Sequence, residues 1–142
     1  MTPEALARLH AACFDLPPPW PARDFAQMLA APTCFLKCAY HEDHLSAFAL
    51  FRVVADEAEL LTLATAPEAR RKGHARALMQ DGLAEAMRRG ARMCFLEVAA
   101  PNHAARRLYD TLGFRIAGTR KGYYHGQGAP VDAIVYRADL TA

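Results

Sequence analysis

The 142-residue chain lacks the features that mark membrane proteins, secreted proteins and most nucleic-acid-binding proteins. No hydrophobic run approaches the ~20 apolar residues that cross a bilayer, so we expect no membrane partner. The N-terminus has no apolar signal-peptide core, which favours a cytoplasmic location. A formal net charge of +2 is too small to indicate a nucleic-acid partner.

The sequence gives equally little support for metal or disulfide chemistry. Its four cysteines form no Cys-x-x-Cys pair and have no histidine at zinc-finger spacing, and its six histidines are scattered. We therefore expect no metal site, and cysteine thiols that are reduced and mostly buried. A catalytic cysteine is an open alternative, although no neighbouring residue visibly activates one. The cysteines are Cys13, Cys34, Cys38 and Cys94.

Composition and patterning indicate one mixed α/β domain over residues 1–142. The length and a hydrophobic content of 53% suffice for one good core. Apolar periodicity and turn residues predict helices at 3–14, 22–30, 75–89 and 102–112, and strands at 34–40, 45–54, 58–66, 93–99, 114–117 and 131–136. A proline-rich break lies at 16–21 and a glycine-rich loop at 118–130. Hairpins followed by alternating strands and helices predict a mixed sheet covered by helices.

A basic turn, Arg70-Arg71-Lys72-Gly73-His74-Ala75-Arg76, lies between a predicted strand and a predicted helix. The first turn of a helix presents backbone N–H groups without intrahelical partners, and the helix dipole favours an anion there. Gly73 permits a close backbone approach, and the three cations at 70–72 suit a polyphosphate. The turn matches neither the P-loop nor the Gly-x-Gly-x-x-Gly fingerprint. On these residues alone, an anion site and an ordinary basic surface turn are equally good interpretations.

Glu97 is the one carboxylate in an otherwise apolar predicted strand. Burying an unpaired carboxylate costs several kcal/mol, so Glu97 should lie at a cleft or have a partner. At a cleft, a carboxylate of this kind can serve as a base. A salt-bridged or strand-edge glutamate with no chemical role is the simpler alternative.

Five further residues have both a structural and a functional interpretation. Tyr109 fits a core aromatic on a helix face, although its hydroxyl needs a polar neighbour. Asn102 fits a helix N-cap. Trp20, Tyr123 and Tyr124 are loop aromatics, which either pack locally or line a binding site.

Taken together and in this order, these motifs resemble the GCN5-related N-acetyltransferase (GNAT) superfamily, and within it the bacterial ribosomal-protein alanine N-acetyltransferases of the RimI type. The resemblance spans about residues 6–140 and is strongest from 60 to 114. It implies a mixed sheet with splayed parallel central strands, flanked by helices. The family's usual first strand has no counterpart, because the chain begins almost at its first helix. The motifs are Pro19-Trp20, Leu63-Ala64-Thr65, Arg71-Lys72-Gly73-His74-Ala75, Leu96-Glu97-Val98, Asn102, Leu108-Tyr109, Leu112-Gly113-Phe114, Tyr123-Tyr124 and Asp132-Ala133-Ile134.

The resemblance also implies acetyl-CoA as co-substrate and a role for each candidate residue. Glu97 would act as the base toward the substrate amine, and Tyr109 would protonate the departing thiolate. Trp20, Tyr123 and Tyr124 would contact the acceptor, which is a protein N-terminus or a small amine. The cofactor-binding residues would be Leu63, Ala64, Thr65, Arg70, Arg71, Lys72, Gly73, His74, Ala75, Arg76 and Asn102.

Three functions therefore compete at this point. The first is acetylation of a protein N-terminus, most fittingly that of a ribosomal protein. The second is the same chemistry on a small amine such as a polyamine, an aminoglycoside or an amino acid. The third is a non-catalytic acyl-CoA-binding module, against which the presence of both Glu97 and Tyr109 argues.

Overall fold

The computed structural model describes residues 1–14, 18–126 and 128–141. Within these ranges, four helices and six strands follow one another in the order that the sequence predicts, with a short 3-10 turn at Pro67–Ala69. Parts of the predicted break at 16–21 and of the loop at 118–130 lie outside the described residues. The elements are α1 Pro3–Cys13, α2 Ala22–Ala30, β1 Cys34–His41, β2 His44–Val54, β3 Glu57–Thr65, α3 His74–Arg88, β4 Met93–Ala99, α4 His103–Thr111, β5 Arg115–Tyr124 and β6 Val131–Asp139.

The strands form one mixed sheet in the order β1-β2-β3-β4-β6-β5. Its central pair, β3 and β4, is parallel, and its other pairs are antiparallel. The parallel pairing covers only the register from Glu57 opposite Met93 to Glu59 opposite Phe95. Both strands continue beyond it, to Thr65 and Ala99, so they separate toward their carboxyl ends. The predicted splayed central strands are confirmed.

A β-bulge in β3 lies just beyond the point where the two strands separate. Leu50 pairs with Thr62 whereas Phe51 pairs with Leu60, which leaves Leu61 without an opposite residue on β2. A bulge of this kind bends its strand and increases the local twist. It therefore helps to turn β3 away from β4 and to open the sheet.

Hydrophobic clusters cover both faces of the sheet. One contains Leu78 and Met79 of α3 together with Tyr109 of α4, and the other contains Leu6 of α1 and Phe25 of α2. Gly82 of α3 lies so close to the sheet that a Cβ atom there would overlap the Phe51 ring. The glycine thus sets how closely α3 approaches β2.

The structure corrects two local predictions. β5 extends to Tyr124, so the predicted glycine-rich loop at 118–130 is largely strand, and Tyr123 and Tyr124 lie at a strand end. The expectation of mostly buried thiols is also wrong, because Cys94 is buried whereas the other three cysteines are half-buried. None of the helices in the described parts of the chain is long and apolar enough to cross a membrane.

Candidate active site

A cleft of about 370 Å³ opens where β3 and β4 separate. It brings together side chains from both splayed strands, from α1 and α4, and from the end of β5. Seven of the candidate residues line it. They are Trp20, Leu63, Glu97, Asn102, Tyr109, Tyr123 and Tyr124.

Glu97 lies at a cleft and also has a charged partner, the two arrangements expected for a carboxylate in an apolar strand. Strand alternation sends Leu96 and Val98 into the core on one face and leaves Glu97 on the other, 26% exposed, in the cleft wall. Its Oε1 forms an ion pair with the guanidinium of Arg120, whose Nε lies 3.0 Å away. The side chain therefore reaches the cleft and is paired with a half-exposed guanidinium.

Tyr109 lies across the same cleft, on the inner face of α4. Its side chain is 5% exposed, and its ring packs at 5.9 Å from that of Phe114 and at 6.0 Å from that of Tyr136. Burial raises the pKa of Tyr109 well above its ordinary value. The phenol is thus fully protonated at neutral pH and is available as a proton donor.

The two tyrosines at the end of β5 differ in their surroundings. Burial, followed by the nearby Glu97 carboxylate, raises the pKa of Tyr124 to about 12, so this phenol is also neutral beside the charged carboxylate. Tyr123 is 49% exposed, and the guanidinium of Arg120 lies 5.2 Å from its ring centroid. Arg120 therefore contacts both Glu97 and the exposed aromatic wall of the cleft.

Asn102 has the structural role that its position predicts. Its side-chain oxygen accepts a hydrogen bond of 3.2 Å from the Ala105 N–H and caps α4. Because Asn102 also lines the cleft, the cap lies at the cleft wall and does not use the side-chain NH₂ group, which can donate to a ligand.

The basic turn lies past the end of β3, outside the cleft wall. Positive φ angles at Arg71 and Gly73 reverse the chain into α3, whose first turn has no side-chain cap. Arg71, Lys72 and Arg76 are exposed around these free N–H groups. Arg76 also donates a hydrogen bond of 2.7 Å to the Thr111 hydroxyl, which connects the turn to α4. The turn therefore combines uncapped N–H groups with cations, a donor set that fits a phosphate.

The backbone of β3 beyond Glu59 has a partner strand on its β2 side and none on its β4 side. Its free N–H and C=O groups fit an extended ligand arm that carries amides of its own. Of the three residues expected there, Leu63 lines the cleft. Ala64 is buried on the opposite side, and the Thr65 carbonyl accepts hydrogen bonds from Cys13 and Arg70.

Three residues that line this site do not stand out in the sequence, namely His10, Thr62 and Arg120. His10 is completely buried, and its ring lies 4.3 Å from that of Phe14. Its Nδ1 accepts a hydrogen bond of 3.0 Å from the Trp20 N–H, so in the neutral ring the proton is on Nε2, which is 2.9 Å from the Thr62 hydroxyl. Burial lowers the pKa of His10 to about 4. A neutral histidine thus connects α1, the Trp20 loop and β3.

Within the parts of the chain that the structure describes, no three side chains group in a way that could hold a metal ion.

The chain belongs to the GNAT family of acetyltransferases, because the model of the "Acetyltransferase (GNAT) family" matches residues 4–114. The predicted family is thereby confirmed.

The sequence relatives include proteins that are named as N-acetyltransferases. The ribosomal protein bS18-alanine N-acetyltransferase of Escherichia coli K12 is 42% identical over 91 residues, which cover 64% of this chain and 62% of that protein. The match therefore spans less than two thirds of that relative's length. The N-alpha-acetyltransferase RimI of Mycobacterium tuberculosis is 34% identical over 94% of this chain and 84% of its own. The crystal structure of the E. coli ribosomal-protein-S18-alanine N-acetyltransferase superposes with a TM-score of 0.90 and 31% identity, over 99% of this chain and 88% of that chain.

Proposed function

We propose that this protein transfers the acetyl group of acetyl-CoA to the N-terminal α-amine of a protein, most fittingly a ribosomal protein. One observation carries the proposal: Glu97 and Tyr109 line the same cleft, at the point where β3 and β4 separate. A carboxylate and a protonated phenol are the two proton-handling groups that acyl transfer to an amine needs. The names of the relatives supply the acceptor class.

The residues of this chain fit acetyl-CoA along its length. The uncapped first turn of α3, with Arg71 and Lys72 beside it, would bind the pyrophosphate. The free β4-facing edge of β3 near Leu63 would hydrogen-bond the amides of the pantetheine arm. Asn102, whose oxygen caps α4, would contact the arm through its NH₂ group. This arrangement would place the reactive end of the co-substrate between the two proton-handling residues.

The chemistry divides between these two residues. Acetyl-CoA supplies a thioester, whose carbonyl carbon is attacked by the amine nitrogen. The Glu97 carboxylate takes the proton that the amine loses as the N–C bond forms. The Tyr109 phenol gives its proton to the sulfur as the C–S bond breaks. Exchange with solvent then returns both side chains to their starting states, and the net result moves one proton from the amine to the thiolate.

The acidity of the acceptor favours an α-amine over a lysine side chain. An α-amine has a pKa of about 7.7–8.0, so roughly a tenth of it is neutral at pH 7, whereas a lysine with a pKa of about 10.4 is less than about 0.1% neutral. A solvent-accessible carboxylate such as Glu97 is therefore a sufficient base for an N-terminus. A ribosomal-protein acceptor also implies that the protein acts in the cytoplasm.

The direct test is acetylation of a peptide that begins with alanine and carries an internal lysine. We expect one acetyl group, mapped by mass spectrometry to the α-amine, and no product from the same peptide with a blocked N-terminus. Modification of the lysine alone would contradict the proposed acceptor. A panel of polyamines, aminoglycosides and amino acids, assayed for thiol release, tests the small-amine alternative. Binding of acetyl-CoA without turnover on any amine would indicate a non-catalytic module.

A further inference from the structure

A second groove, of about 480 Å³, opens beside the cleft. Among the residues that the structure describes, those lining the groove all lie on strands, from β2 to β6, and none of them lies on a helix. The groove therefore occupies a part of the sheet face that the helices leave uncovered.

The groove and the cleft share three wall residues, Glu59, Glu97 and Arg120. The ion pair between Glu97 and Arg120 lies at this junction. An acceptor whose α-amine reaches Glu97 is thus already at the mouth of the groove. The groove offers the rest of that acceptor chain a continuous path away from the cleft.

The walls of the groove consist of apolar side chains and of carboxylates, among which Glu57 has no ion-pair partner in the described residues. Val54, Phe95 and Val135 supply the apolar surface. Glu59 is held by Arg52, whose guanidinium nitrogen is 2.6 Å from its Oε1. Glu57 is exposed, and it forms no ion pair with any residue in the described ranges. Charge complementarity therefore favours a bound chain that places a basic side chain next to Glu57.

The strand register gives the distance between the two ends of the groove. Glu57 pairs with Met93, and Met93 precedes Glu97 by four residues on β4. At about 3.3 Å per residue, Glu57 is roughly 13 Å along the strands from Glu97. An extended acceptor spans this distance with about three or four residues, part of it through a long basic side chain.

We propose that this groove binds the acceptor polypeptide beyond its first residue, and that Glu57 selects a lysine or arginine at the third or fourth position. The inference rests on the proposed function, because it takes the acceptor amine to lie at Glu97. It adds a specificity site, which explains why the chemistry would need a polypeptide rather than any free amine.

The test uses a set of alanine-starting peptides with a single arginine moved from position two to position six, and glutamine at the other variable positions. Each peptide carries a fluorophore at its C-terminus. Binding to the CoA-loaded protein is measured by fluorescence anisotropy, and kcat/KM is measured separately with acetyl-CoA. The variants are Glu57→Gln and, as the matched control, Glu42→Gln in the turn between β1 and β2.

We expect the wild-type protein to prefer arginine at position three or four by roughly two- to fivefold, the strength of a single exposed ion pair. Glu57→Gln should abolish the preference, Glu42→Gln should retain it, and added salt should weaken it. The inference is overturned if affinity does not depend on the position of the arginine, or if the position preference survives in Glu57→Gln. Either result overturns it even if the peptides are acetylated. A position-dependent affinity without acetylation supports the groove while contradicting the proposed function. If no peptide binds, both proposals are wrong.

Discussion

The buried ring of His10 accepts a hydrogen bond from the backbone N–H of Trp20 through its Nδ1, over 3.0 Å. This contact fixes the proton of the neutral ring on Nε2, which then donates to the Thr62 hydroxyl. One side chain therefore connects the loop before α2 to the strand that forms a wall of the cleft. Protonation of Nδ1 would remove the acceptor and break the first of these contacts.

The stability of the protein should therefore fall in mildly acidic solution. Burial lowers the pKa of His10 from 6.5 to about 4, so the unfolded chain takes up this proton before the folded one does. The contribution of the neutral His10 to the free energy of unfolding is fully present above pH 6.5 and is lost as the pH falls toward 4. At pH 5 the loss amounts to about 2 kcal/mol. Urea denaturation at pH 7 and at pH 5 measures it. The difference should shrink in His10→Gln and persist in His44→Gln, which changes an exposed histidine; an equal difference in all three proteins would contradict the role of His10.

His10 should also control acceptor binding through Trp20. His10→Leu removes both hydrogen bonds, so we expect the acceptor KM to rise by roughly tenfold, given about 1–1.5 kcal/mol for a hydrogen bond, while acetyl-CoA affinity is retained. Glutamine carries a donor and an acceptor on one group, so His10→Gln should restore much of the loss. Steady-state kinetics with each substrate varied in turn measures the effect. Equal acceptor KM values in His10→Leu and His10→Gln would show that the hydrogen bonds of His10 do not contribute to acceptor binding.

Removal of the Tyr109 hydroxyl should slow turnover without weakening acetyl-CoA binding. We expect Tyr109→Phe to lower kcat by about 100-fold or more, the usual contribution of a general acid. Tyr136→Phe is the matched control, because Tyr136 is buried beside Tyr109 and its hydroxyl accepts a hydrogen bond from Arg106 over 3.1 Å. Its kcat should stay near that of the wild type. Calorimetry of CoA binding separates affinity from turnover, and an unchanged kcat in Tyr109→Phe would remove this residue from the mechanism.

Arg120 should compete with the acceptor for Glu97. The acceptor's ammonium group and the Arg120 guanidinium would both pair with the Glu97 carboxylate. In the free protein the Arg120 Nε lies 3.0 Å from the Glu97 Oε1, and the arginine side chain is 56% exposed. Because such exposed pairs contribute about 0.2–1 kcal/mol, Arg120→Gln should lower the acceptor KM by up to about fivefold. Arg115→Gln, at the other end of β5, controls for loss of charge. A higher acceptor KM in Arg120→Gln would show that the arginine helps to hold the acceptor.

The close approach of α3 to the sheet should make Gly82 intolerant of even one methyl group. Gly82→Ala would place a Cβ atom on the buried Phe51 ring, and such overpacking costs about 1–3 kcal/mol. Over most of that range the loss exceeds the gain in helix propensity of about 1 kcal/mol. Gly118→Ala is the control, since nothing lies within 4 Å of its added Cβ. Denaturant midpoints compare the two, and a higher midpoint for Gly82→Ala would contradict this packing.

The sequence drew attention to those residues of the candidate site whose type conflicts with their surroundings. A carboxylate in an apolar strand identified Glu97, and cations at a helix start identified the basic turn. Both signals are local, because each conflict exists between neighbours in the chain.

The parts that the sequence did not predict depend on distant contacts or on weak local patterns. His10 follows the apolar spacing of α1, and its partner Thr62 is 52 residues away. The glycines and charges at 118–122 favour a loop, yet pairing with β6 makes this segment a strand. Arg120 therefore reaches Glu97 across β6, a relationship that no local pattern contains.

The short parallel pairing of β3 with β4 makes the sheet two half-sheets, β1 to β3 and β4 to β6, joined by a strip of three residue pairs. A ligand arm lodged between them would supply hydrogen bonds where a strand ladder is missing. Filling the cleft would thus complete the backbone pairing of the fold. Amide hydrogens along the free edges of β3 and β4 would then exchange more slowly in the ligand-bound protein than in the free protein.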